Sequence, residues 1–236
     1  MGEEFVMKRI HLLLGIQSLL AILVSLNRLG TWTLGYVLPN EFLRWVDLNN
    51  ILISLISLVA LYLLKKTIEY NSPAREGRTH TAWNLVFIIG LYLTAASYGD
   101  HEVTNYLHHR FCLEDPTSDL CRIVIFNDDE FSHWVFFTGF IMVNAAILFL
   151  QDLFPYRGNL SGADVGLLLL NSLFLGAGML ANLGFEEIGL DLYVVALLAL
   201  ISAYLLWRRG KQPMFIYYTA AYWLGLVGSL IAQSFR

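Results

Sequence analysis

Two short stretches of this chain carry side chains that could hold a metal ion. The first runs Asp100-His101-Glu102-Val103-Thr104-Asn105-Tyr106-Leu107-His108-His109, and the second Asp128-Asp129-Glu130-Phe131-Ser132-His133. Read as helix, the first stretch puts His101, Asn105 and His108 on one face and Glu102, Asn105 and His109 on an adjacent one, because residues three and four apart are neighbours. Glu130 and His133 form a Glu-x-x-His pair, a spacing that helical bundles use to hold di-iron or di-manganese centres. One helix cannot close such a site. Glu102 and His109 are separated by about 10 Å of helical rise, whereas ligand atoms sit ~2 Å from a metal. A second helix must supply the rest. The expected ligands are His101, Glu102, Glu130 and His133, with His109 at the rim. Asp129 and Glu186 are the expected catalytic carboxylates, Glu186 acting as general base or as a further ligand. Mixed imidazole and carboxylate donors suit a divalent ion, zinc first, with iron or manganese as alternatives.

The elements that must position these residues are membrane spans. Of the 236 residues, 57% are apolar and only 14% charged, against about 45–50% and about 25% in soluble domains. The apolar residues fall into seven blocks at 10–27, 46–64, 82–101, 131–150, 164–183, 190–207 and 214–234. Each block is close to the ~20 residues that cross a hydrocarbon core. Blocks such as Ile51 to Leu64 do not alternate, so helices rather than barrel strands are expected. The fold class is therefore all-α, a single polytopic bundle of seven transmembrane helices over residues 1–236. Lys8 and Arg9 precede the first block as they would in a signal peptide. No small-x-small cleavage pattern follows, so the block reads as a retained span. Gly176 and Gly178 in the fifth span, and Gly225, Gly228 and Ser229 in the seventh, predict close helix contacts. Asn144 and Asn171 predict hydrogen bonds between helices. Tyr217, Tyr218, Tyr222 and Trp223 read as packing or interfacial residues rather than a ligand set.

Charge sets the expected orientation. Ten of the fifteen Lys and Arg residues lie in the loops of one side, and thirteen of the nineteen acids lie on the other. The basic side is the cytoplasmic one by the positive-inside rule. The N-terminus is then inside, the C-terminus outside, and the expected location a cell membrane with the active face extracytoplasmic. His101, His108, His109 and His133 share the acidic side. So do both cysteines, Cys112 and Cys121, nine positions apart. In an oxidising compartment that pair reads as a disulfide closing an outer loop around 110–127. A two-thiolate metal site is the less favoured alternative.

A metal at the outer membrane boundary would activate water or dioxygen. Hydrolysis of a lipid or other apolar substrate is the expected reaction, since zinc needs no electron donor. Two other functions remain open. The acidic and imidazole groups could line the mouth of a proton or metal-cation transporter, or His101 and His133 could be axial ligands in a haem or quinone protein. The expected partners are the bilayer and an apolar small molecule. No basic stripe exists for nucleic acid, and the sequence leaves the oligomeric state open. Glu102, Asn105 and His109 resemble the Glu-x-x-Asn-x-x-x-His element of the progestin and adipoQ receptor family, whose members are seven-span proteins similar to zinc lipid hydrolases. In that family the element precedes the first span and a His-x-x-x-His lies near the last. Here the element follows the third span and no histidine follows His133, so the resemblance implies convergent chemistry rather than membership.

Overall fold

The structure is a computed structural model and describes residues 2–70, 77–186 and 189–234. It is 84% helical, with no strands among the described residues. The helices are α1 (Glu3–Leu29), α2 (Trp45–Glu69), α3 (Arg78–Leu107), α4 (Asp119–Phe126), α5 (Ser132–Leu153), α6 (Gly162–Ala181), α7 (Leu190–Arg209) and α8 (Pro213–Ser234). Seven are long and apolar enough to cross a membrane, and α4 belongs to the same continuous helical rod as α5. The chain is thus a multi-pass membrane protein by length and composition.

Neighbouring helices close a ring in the order α1, α2, α3, α5, α7, α8, α6 and back to α1. The core lies inside this ring, built from residues such as Leu14, Phe87, Ile147, Leu198 and Phe215. Outward positions are also apolar. Leu12 is 63% exposed, Ile88 60% and Leu230 64%. In water such a surface would be an aggregation liability, whereas in lipid it is the ordinary solvent-facing surface.

Two contacts bring backbones close. At Gly139 of α5, an added Cβ would lie 2.7 Å from the Thr94 nitrogen and 2.8 Å from the Gly90 oxygen of α3. At Gly225 of α8, it would lie 2.6 Å from Met179 Cβ of α6. Small residues allow this approach, which supplies the packing that holds helices together without a hydrophobic drive. Gly176 and Gly225 make the contact expected of them. Gly178 has nothing within 4 Å of its Cβ position. Asn171 accepts a hydrogen bond from Ser18 of α1 at 2.7 Å, an interhelical bond as expected. Asn144 instead donates to Phe140 O of its own helix at 2.7 Å. Tyr217, Tyr218 and Tyr222 are buried, and Tyr218 stacks on Tyr222 with centroids 5.4 Å apart. They are core packing.

The ends of the bundle are fixed by local chemistry. Ser161 and Asp164 form a reciprocal capping box at the start of α6, and Pro213 opens α8, where its missing N–H costs nothing. His11 of α1 lies 3.0 Å from Asp164, and Glu69 at the end of α2 lies 2.7 Å from Lys65 and 2.9 Å from His80 of α3. These contacts mark one end. The opposite end holds the C-terminus of α1, the N-terminus of α2, the C-terminus of α3 and the entry to α5.

The region around 110–127 differs from the expected loop. After α3, a π-helical turn over His108–Cys112 carries the rod onward. Then α4 and a second π-helical turn, Asn127–Phe131, lead without a break into α5. Only the short segment 113–118 is non-helical. Ser118 caps α4, accepting from Cys121 N at 3.4 Å. Cys112 and Cys121 are disulfide-bonded, with Cα atoms 5.3 Å apart. The bond staples the tip of a helical hairpin, a constraint worth about 2–3 kcal/mol against the unfolded chain.

Candidate metal centre

Helix α3 is the spine of this end of the bundle. It presents His101 and Asn105 on one face, which His108 continues at the start of the π-helical turn that follows, and all three meet Asp128 from the π-helical turn before α5. His108 Nδ1 lies 2.9 Å from Asp128 Oδ2. A carboxylate only accepts, so the imidazole donates. Asn105 Nδ2 donates to the same oxygen at 3.4 Å. His101 Nδ1 lies 3.6 Å from Asp128 Oδ1, too far for a hydrogen bond. Both of these atoms are buried and have no hydrogen-bond partner among the described residues. Asp128 itself is 2% exposed.

Burying a carboxylate without full compensation is costly, so its setting is informative. No Lys or Arg reaches ion-pair distance of Asp128 or Asp129 among the described residues; only imidazoles do. Asp129 Oδ1 lies 4.0 Å from His108 Nδ1. His108, Asp128 and Asp129 can each offer a ligand atom within 4.8 Å of the other two. Imidazole and carboxylate donors at that spacing fit a divalent ion, whose bonds of about 2.0–2.2 Å gather such atoms around one point.

The expected residues separate into three groups. His101 and His133 converge: their rings stack with centroids 5.1 Å apart and planes at 14°. This stack leaves no room for a porphyrin between the rings, which counts against the haem reading. Glu102 adjoins His101, with Oε1 4.0 Å from its Nδ1, yet it is held by other partners. Arg28 of α1 donates to Oε1 at 3.2 Å and Asn50 of α2 donates to Oε2 at 3.0 Å. Glu130 and His109 are exposed, and His109 stacks on His108. The π-helical turn explains Glu130. A wider turn shifts the angular register, so the i,i+3 spacing no longer puts Glu130 on the inner face with His133. Glu186 closes a third π-helical turn, Asn182–Glu186. Its side chain, like all of Glu187, lies outside the described residues.

Asp128 is the member that spacing alone passed over. Asp128 matches no metal-ligand motif. Its one local signal is Ser132 four residues on, whose hydroxyl donates back to Asp128 O at 2.7 Å and fixes the turn. Ser97 of α3 donates to Ser132 O at 2.7 Å, locking the two rods at this level.

A second polar network lies beside the first. Arg44 grips Asp47 through two bonds, 2.8 and 2.7 Å, and also donates to Asn105 Oδ1 at 3.2 Å. Asn105 is therefore the bridge, accepting from Arg44 and donating to Asp128. Asn27 donates to Asn50 at 2.7 Å, which aims Asn50 at Glu102. Next to this network is a cavity of about 380 Å³ lined by Phe42, Leu43, Ile51, Val103, Leu107 and Phe111, with Asp47, Glu102, Tyr106 and Arg110 as its polar groups. The cavity and the Asp128 cluster occupy different faces of α3, and Glu102 borders both.

Comparison with protein-family models, with curated proteins and with solved structures returned no match. The class defined by fold and site is thus as far as identification goes: a seven-helix membrane bundle with an imidazole–carboxylate cluster at one end.

Proposed function

We propose that this protein is an integral membrane, metal-dependent hydrolase acting on a lipid or other apolar substrate, with its site at the extracytoplasmic boundary. The observation that carries the reading is the buried Asp128 carboxylate, flanked by His108 and His101 and lacking any Lys or Arg counter-charge among the described residues. His108, Asp128 and Asp129 would hold the ion, and His101 adjoins it. A bound divalent ion supplies Lewis-acid polarisation and a water acidic enough to serve as nucleophile near neutral pH. Zinc is the favoured ion, with iron or manganese as alternatives. The apolar cavity supports an amphiphilic substrate, since its polar end is Glu102, 4.0 Å from His101.

A transport function draws less support. Between His11 and Arg28 of α1, Asp47 and Lys65 of α2, and His80 and Asp100 of α3, there is no ionisable acid, base or imidazole. The polar groups at these depths include Gln17 and Ser57, which satisfy each other at 2.7 and 2.8 Å. A cation or proton crossing the bundle would find no charged relay.

The test is elemental analysis of protein extracted in mild detergent without chelator, paired with hydrolysis of a panel of lipid esters, amides and phosphodiesters. Zinc or manganese is expected in the purified protein, with hydrolysis abolished by a chelator. Asp128→Asn is expected to weaken metal binding by more than about 100-fold, since it removes a direct ligand rather than an outer one. Monodisperse wild-type protein that stays metal-free when supplied with zinc or manganese ends the proposal.

A further inference from the structure

We infer that Asp128 bridges two divalent cations, one on each carboxylate oxygen, which deepens the metal-enzyme reading and rests on it. The first position is the one described above, at Oδ2 with His108 and Asp129. The second is at Oδ1, with His101 Nδ1 at 3.6 Å.

The pair formed by His101 Nδ1 and Asp128 Oδ1 is what calls for a second ion. Both atoms are buried and lack a hydrogen-bond partner among the described residues, and leaving two such atoms unmet is costly. Their separation is too long for a direct bond. It is too short for a comfortable water, which at ~2.8 Å from both atoms would be squeezed to an angle of about 80°. An ion with bonds of about 2.1 Å spans 3.6 Å at an angle near 118°, close to tetrahedral. His133 stacks on His101 and fixes that ring in place. Carboxylate-bridged ion pairs are the usual means by which a site holds an attacking and a leaving oxygen together.

The experiment is equilibrium binding of Mn(II) to detergent-purified full-length protein, read by metal content and by electron paramagnetic resonance. About two equivalents are expected, with the exchange-coupled signature of a bridged pair. His101→Gln and His108→Gln should each leave about one equivalent and an uncoupled signal. Size exclusion and circular dichroism show whether each variant is folded. If the wild type binds a single ion at saturation, the bridge is wrong and the single-metal reading survives. If it binds none, both fail. Two uncoupled ions, or full stoichiometry retained in folded His101→Gln, also overturn the bridge.

Discussion

At the scale of single residues, counter-charge separates two buried carboxylates at this end of the bundle. Asp128 and Glu102 are both nearly inaccessible, at 2% and 3% exposure, but their surroundings differ. Glu102 is matched by Arg28 and Asn50, so its charge is spent on holding α1, α2 and α3 together. Among the described residues, Asp128 has only imidazoles and an amide, so its charge is available to a cation. Glu130 and His109, which spacing nominated as ligands, are exposed. Glu130→Gln and His109→Ala are therefore expected to change Mn(II) or Zn(II) affinity by less than about twofold, within the ±0.5 kcal/mol typical of surface substitutions. A loss comparable to that of Asp128→Asn, measured by competition with a chelating dye, would return them to the ligand set.

At the scale of elements, the site depends on how closely α3 and α5 approach. Gly139 sits against the backbone of Thr94 and Gly90 with no space for a methyl group. Ser97 and Ser132 join the same helices one level closer to the cluster. Gly139→Ala must part the helices, since the obstructing atoms are backbone. It is expected to cost about 1–3 kcal/mol, visible as a lowered unfolding midpoint in detergent, and to weaken metal binding by moving Asp128 away from His101 and His108. Gly15→Ala, at a position with nothing within 4 Å, is the control, expected neutral or slightly stabilising because alanine favours helix. Equal effects of the two substitutions would show that the close approach does not matter. The π-helical turns belong to this scale as well. Among the described residues three lie at this end of the bundle, and two of them carry His108, Asp128 and Asp129. Their extra residue per turn brings Asp128 inward, and π-helical turns recur at functional sites.

At the scale of the whole molecule, the orientation that we propose follows from the basic loops, which by the positive-inside rule would lie with the N-terminal side in the cytoplasm. In a cysteine-free background, a membrane-impermeant maleimide applied to intact cells is expected to label Pro116→Cys, at the tip of the α3–α4 connection. It should leave Lys211→Cys, in the α7–α8 connection, unlabelled until the cells are permeabilised. The reverse pattern would place the Asp128 cluster on the cytoplasmic side. It would also remove the oxidising compartment that the Cys112–Cys121 bond needs.

The seven spans, though not the full length of their helices, were legible in the sequence because lipid imposes one rule on every residue of a span: apolar side chains and a self-satisfied backbone. That rule acts locally, so composition alone reveals it, and the disulfide followed from two cysteines in one short connection. The face shared by His101, Asn105 and His108 was equally legible, since it needs only the period of a regular helix. The partner of that face was not. Nothing in Asn127-Asp128-Asp129-Glu130 announces a π-helical turn, and the α-helical period pointed to Glu130 where the structure turns Asp128 inward. Nor could spacing tell that Glu102 is neutralised by Arg28, 74 residues earlier in the chain. Which carboxylate meets an arginine and which meets only imidazoles depends on helix packing across the bundle, and that contact is decided by tertiary structure alone.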